Sequence, residues 1–124
     1  VRIGPSEIYN IVEKIEEIAD SCVVGQYWKG DQRIILFVKL KPGYQLSEEL
    51  RTKIRNLLFH QASPRHVPAK IIQVPDIPYT FNLKKVESAV ANIVNRRPVL
   101  NRDAIVNPSC LDYFEKIVND ELQM

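Results

Sequence analysis

The chain has 124 residues, of which 45% are hydrophobic and 26% charged. That is the length and composition of one folded domain with a single core, which excludes disordered and fibrous classes. Lys and Arg number 17 against 15 Asp and Glu, a net charge of +2, too mild and too mixed for a nucleic-acid footprint. The longest apolar run, residues 34–38, is far short of the ~20 residues that cross a bilayer as a helix.

Pro5 fits the first turn of a helix, where its missing N–H costs nothing, and Glu7 follows at the positive end of the helix dipole. Ile8, Ile11, Val12, Ile15 and Ile18 recur at intervals of three and four, which predicts one amphipathic helix carrying Glu13, Lys14, Glu16 and Glu17 mostly off its apolar stripe. Residues 22–28 and 33–40 are rich in β-branched and aromatic side chains. The Lys29-Gly30-Asp31-Gln32 segment between them has turn chemistry, which predicts a β-hairpin. The second strand is almost continuously apolar and is expected to be central, covered on both faces.

After Lys41-Pro42-Gly43, Ser47 can cap a helix carrying Leu50, Ile54, Leu57 and Leu58, which ends before Pro64. A short third strand is predicted over 70–74 between two prolines, then a loop over 76–82. Val86, Ala89, Val90, Ile93 and Val94 mark a third helix. Leu111, Phe114, Ile117, Val118 and Leu122 mark a fourth, opened by Asn107-Pro108. The predicted fold is α+β: a small mixed β-sheet with a β-hairpin, flanked by amphipathic helices.

Little in this pattern is catalytic by itself. His60 and His66 have no motif-placed Ser or Cys, and the carboxylates of the first helix are expected on a solvated face with no second acidic cluster to pair with for acid–base work. Cys22 and Cys110 lie far apart without metal spacing, so no metal site is expected, and a reducing, cytoplasmic compartment is. The exception is Pro78-Tyr79-Thr80-Phe81-Asn82-Leu83-Lys84-Lys85, a polar loop delivering lysines to the mouth of a helix, where the dipole opposes them. Read from the residues alone, Lys84 and Lys85 are solvated charges at a poorly capped helix start.

Three motifs, taken in order, resemble one family. Arg2-Ile3-Gly4-Pro5-Ser6-Glu7-Ile8 is similar to the opening of the C-terminal domain of the adenylate-forming superfamily. Ala62-Ser63-Pro64-Arg65-His66-Val67-Pro68 looks like its Pro-centred loop after a basic helix. Asp76-Ile77-Pro78-Tyr79-Thr80-Phe81-Asn82-Leu83-Lys84 looks like its final signature, which ends in an essential lysine. Among the subfamilies, the wording is most similar to the acetoacetyl-CoA synthetases over residues 1–95, with 96–124 fitting a C-terminal extension whose tail helix packs on the same domain. The sequence departs from the signature at one position, where the family's Gly before the lysine is Leu83.

The resemblance implies a mobile C-terminal domain of a two-step ligase that makes acyl-CoA through an acyl-adenylate, inert alone. Val1 in place of Met fits such an excised piece. Lys84 would be the adenylation lysine. Arg2 and Gly4 would line the passage of the CoA thiol, and Arg55 and Arg65 would face CoA phosphates. ATP and CoA are the implied cosubstrates, with Mg2+ held mainly by an N-terminal domain of the same chain. That domain and a small-molecule acid are the implied partners, with neither nucleic acid nor membrane involved. The alternative is a degenerate relative that kept the fold as a regulatory or interaction domain.

Overall fold

An apolar strand presents successive side chains to opposite faces, so it folds stably only where both faces are covered. The strand β2, Asp31–Leu40, is placed accordingly. It lies between β1, Ile18–Trp28, to which it is antiparallel, and β3, Lys70–Gln73, to which it is parallel. The computed structural model describes residues 5–28, 30–64, 67–99 and 102–120.

Alternation along β2 divides the interior in two. Ile35 and Phe37 join Cys22, Val24 and Ile72 in a core closed by α3, Glu87–Val94, and α4, Cys110–Asp120. Leu36 and Val38 join Val23 and Ile71 on the other face, under α1, Pro5–Val12, and α2, Glu48–Gln61. Each fully buried side chain of this set contributes ~1.5–3 kcal/mol of transfer free energy. Phe37 and Phe114 meet edge to face with ring centroids 4.9 Å apart, which ties α4 to the central strand. The mixed sheet, the central β2 and the helical cover on both faces are as the sequence predicts.

Several boundaries differ. The predicted first helix extends to Ile18, whereas α1 ends at Val12 and β1 begins at Ile18, four residues earlier than expected. Two successive i→i+3 turns, Ile15 N–H to the Val12 carbonyl at 3.1 Å and Ile18 N–H to the Ile15 carbonyl at 3.1 Å, carry both isoleucines into the same core. A three-residue spacing is shared by helix and tight turns, so periodicity cannot tell them apart. The hairpin connection is also shorter than the four residues expected. Trp28 pairs with Asp31, leaving a two-residue turn in which Gly30 has φ +82°, a value that favours glycine. Ser47 caps α2 as predicted, its Oγ accepting from the Leu50 N–H at 3.2 Å.

Cys22 and Cys110 are buried free thiols, and burial pushes Cys110 up to about 11. No described helix is long and apolar enough to cross a membrane.

Candidate functional site

The segment that carries the predicted lysine is a second, tight hairpin. Tyr79 and Lys85 form an antiparallel bridge. Inside it the Thr80 N–H donates to the Lys84 carbonyl at 2.9 Å, and the Leu83 N–H donates to the Thr80 carbonyl at 2.9 Å. The Lys84 N–H donates to Thr80 Oγ1 at 3.2 Å. The tip is therefore Phe81-Asn82-Leu83, a three-residue hairpin loop, whose third residue characteristically adopts left-handed backbone. Leu83 does so, with φ +60°. Phe81 and Leu83 are 73% and 79% exposed, and the Lys84 side chain is exposed between this tip and the bridge. Both lysines directly precede α3, whose cap, Val86, makes no side-chain hydrogen bond, the poorly capped helix mouth the sequence suggests.

Lys85 points the other way. Its side chain is 15% exposed, with Nζ 3.0 Å from Glu13 Oε2 and 3.2 Å from Asp20 Oδ1, and it lies 3.9 Å from the centroid of the Tyr9 ring. Burial alone would lower its pKa, but the hydrogen bond to Glu13 and the charges of Asp20 and Glu13 outweigh burial and raise it. The Tyr79 hydroxyl donates to the second oxygen of Asp20. The Tyr9 hydroxyl donates to Glu87 Oε2 at 2.5 Å and accepts from the Val23 N–H at 2.9 Å. Burial, with these carboxylates, pushes both tyrosines well above their usual range.

Glu13, Lys14 and Glu16 are exposed, as the expected solvated face requires, but Glu13 also shares an ammonium with Asp20, a second carboxylate that the sequence did not bring beside it. Glu13 lies beyond the end of α1 and also accepts from Ser21 Oγ at 3.0 Å. The sequence held one signal for it, a tyrosine and an aspartate set among the aliphatic residues of α1 and β1.

The hairpin is braced from behind as well. Thr80 bridges Ile105, the Val106 N–H donates to the Tyr79 carbonyl at 2.9 Å, and Asn107 Oδ1 accepts from the Tyr79 N–H at 3.0 Å. Asn107 Nδ2 donates to Asp76 Oδ2 and to the Ile77 carbonyl, each at 2.8 Å, and Lys39 of β2 pairs with Asp76 at 3.2 Å. Burial would raise the Asp76 carboxyl, but the Asn107, Ile77 and Lys39 contacts hold it below the usual carboxylate range.

Of the other predicted residues, Arg55 lies on α2 and lines a groove of ≈ 330 Å³ with Glu48, Arg51 and residues 69–72. Arg51 is committed to Glu48 at 2.6 Å and to the Ile71 carbonyl at 3.3 Å, while Arg55 makes no ion pair among the described residues. Lys84 does not line this groove, so the two predicted positions are separate. Arg2, Gly4, Arg65 and His66 lie outside the described residues. His60 is exposed, with its ring against Phe59. No three His, Cys, Asp or Glu side chains converge as a metal site among the described residues.

The family model for the AMP-binding enzyme C-terminal domain matches residues 7–84, ending on Lys84. The chain belongs to that family. As an AMP-binding enzyme C-terminal domain it is 52% identical over 114 residues to the acetoacetyl-coenzyme A synthetase of Rhizobium meliloti (strain 1021), covering 92% of this chain and 18% of that one. It is 48% identical over 118 residues to the acetoacetyl-CoA synthetase of Gallus gallus, covering 94% of this chain and 18% of that one. The acetoacetyl-CoA synthetase structure from Streptomyces lividans superposes with a TM-score of 0.86 at 36% identity, covering 96% of this chain and 18% of the other. The family model stops at residue 84, so these alignments carry the likeness into the segment that braces the hairpin.

Proposed function

We propose that this domain is the mobile lid of an ATP-dependent ligase that joins a carboxylic acid, acetoacetate, to CoA, and that Lys84 is its adenylation lysine. In the first step a carboxylate oxygen attacks the α-phosphorus of ATP, and pyrophosphate leaves. In the second the CoA thiol attacks the acyl carbonyl of the adenylate, and AMP leaves. The lid supplies a different surface to each step, and the N-terminal domain of the same chain holds ATP, its Mg2+ and the acid.

The observation that carries this reading is the exposure of Lys84 beside a fully engaged Lys85. A compact ammonium on a braced hairpin can enter a water-poor site and offset negative charge developing on the carboxylate and α-phosphate oxygens. Arg2 and Gly4 act in the other orientation, lining the passage for the thiol. Arg55 and Arg65 meet CoA phosphates, and the open groove beside Arg55 supports that role. The buried free thiols support a reducing, cytoplasmic setting. Leu83, which favours the non-catalytic reading, holds the left-handed backbone that a glycine would supply, and so the departure does not remove the loop that presents Lys84.

The reading is tested in the full-length ligase by acid-dependent ATP–pyrophosphate exchange. Acetoacetate should support exchange better than other short acids, and Lys84→Ala should lower it by roughly 10²–10³-fold. Exchange unaffected by Lys84→Ala would overturn the assignment.

A further inference from the structure

Successive residues of an extended leg face opposite sides. The inward anchoring of Lys85 therefore sets the outward direction of Lys84. Both legs of the hairpin end on one carboxylate: Lys85 Nζ reaches Asp20 Oδ1 at 3.2 Å, and the Tyr79 hydroxyl donates to Oδ2. Asp20 lies two residues before Cys22 and shares its face of β1, while across the register shift Ile18 turns into the other core. Phe81 and Leu83 at the tip are exposed, so the hairpin takes its direction from its base. We propose that Lys85 is a positioning residue that fixes the direction in which Lys84 is presented, by locking the hairpin base onto Asp20 and Glu13. The inference rests on the adenylation role of Lys84 given above.

Removing the Lys85 charge leaves Glu13 and Asp20 facing each other without the ammonium between them. Breaking one partner out of a partly buried charge cluster is more disruptive than the cluster's net contribution suggests. The Lys85 leg then loosens while the Tyr79 leg stays braced by residues 105–107, and a displacement of the order of 1 Å at Lys84 is enough to lower the chemical step by up to ~10²-fold.

The test is a double-mutant cycle in the full-length ligase, with Lys85→Met, Lys84→Ala and the double variant assayed separately for the two half-reactions. Lys85→Met should lower kcat for acid-dependent ATP–pyrophosphate exchange by roughly 10–10²-fold. It should leave KM for ATP unchanged and spare thioester formation from supplied acyl-adenylate. In the Lys84→Ala background the same substitution should have less than about a twofold effect, because a residue that acts through Lys84 has nothing left to position. If Lys85→Met does not fold, Tyr79→Phe, which releases only the other leg from Asp20, takes its place in the cycle with the same non-additivity expected. Equal factors in both backgrounds, or equal losses in both half-reactions, would overturn positioning while leaving Lys84 its role. Exchange left unchanged by Lys84→Ala would overturn both.

Discussion

The two adjacent lysines separate a group held by its neighbours from one left to solvent. Lys84 is exposed and makes no ion pair among the described residues, so Lys84→Ala should change unfolding free energy by no more than about 0.5 kcal/mol, as measured by urea denaturation. Leu83 is the complementary case. Its φ of +60° costs roughly 1–2 kcal/mol for an ordinary L-residue. Leu83→Gly should relieve that strain and nearly cancel it through greater freedom of the unfolded chain, leaving stability close to unchanged. Leu83→Val, stiffer at Cβ, should destabilise by about 1 kcal/mol or more, and a neutral Leu83→Val would refute the strain argument. At this scale the sequence marked Lys84 through its motif, but it could not show that Lys85 faces inward, because that depends on Glu13 and Asp20, which are distant along the chain.

Among the elements, those with strong periodicity and clear caps were legible: α2 from Ser47, α3 from its apolar spacing, and β2 from its unbroken run. The end of α1 was not, since two i→i+3 turns reproduce the helical spacing of Ile15 and Ile18. The brace from residues 105–107 was equally hidden, because it is built from backbone bridges and one asparagine side chain. Asn107→Ala removes three hydrogen bonds, at ~0.5–1.5 kcal/mol each. It should destabilise by about 1.5–4.5 kcal/mol and raise the Asp76 carboxyl toward its ordinary value. The sign follows from linkage: a carboxyl depressed in the folded state stabilises above its unfolded pKa, and that stability is lost as pH falls through the folded value. The stability difference between the native chain and Asp76→Asn should therefore shrink below about pH 4, a trend that acid titrations of both proteins would check. In the core on the same face of the sheet, Phe114→Ala should cost about 3–5 kcal/mol, because its ring is fully buried against Phe37.

The whole molecule packs two cores on one three-stranded sheet. Tyr9, Tyr79, Cys22 and Lys85 all have raised folded-state pKa values. Their contributions to stability are fully present below their ordinary values near 9–10.5 and are lost as pH rises beyond them. Tm should thus fall progressively above about pH 9, and a Tm flat to pH 11 would contradict the buried network. The three-layer architecture was legible because both faces of β2 had to be covered, whereas Arg2, Gly4 and Arg65 were accessible only through family motifs. The chain by itself should give no acid-dependent ATP–pyrophosphate exchange, since the proposed function assigns ATP binding to an N-terminal domain. If one lid serves two half-reactions with two surfaces, as proposed, single-turnover measurement of both half-reactions for Lys84→Ala and Gly4→Leu in the full-length ligase should give crossed losses, adenylation falling for Lys84→Ala and thioester formation falling for Gly4→Leu. Parallel losses in both variants would rule the two-surface lid out.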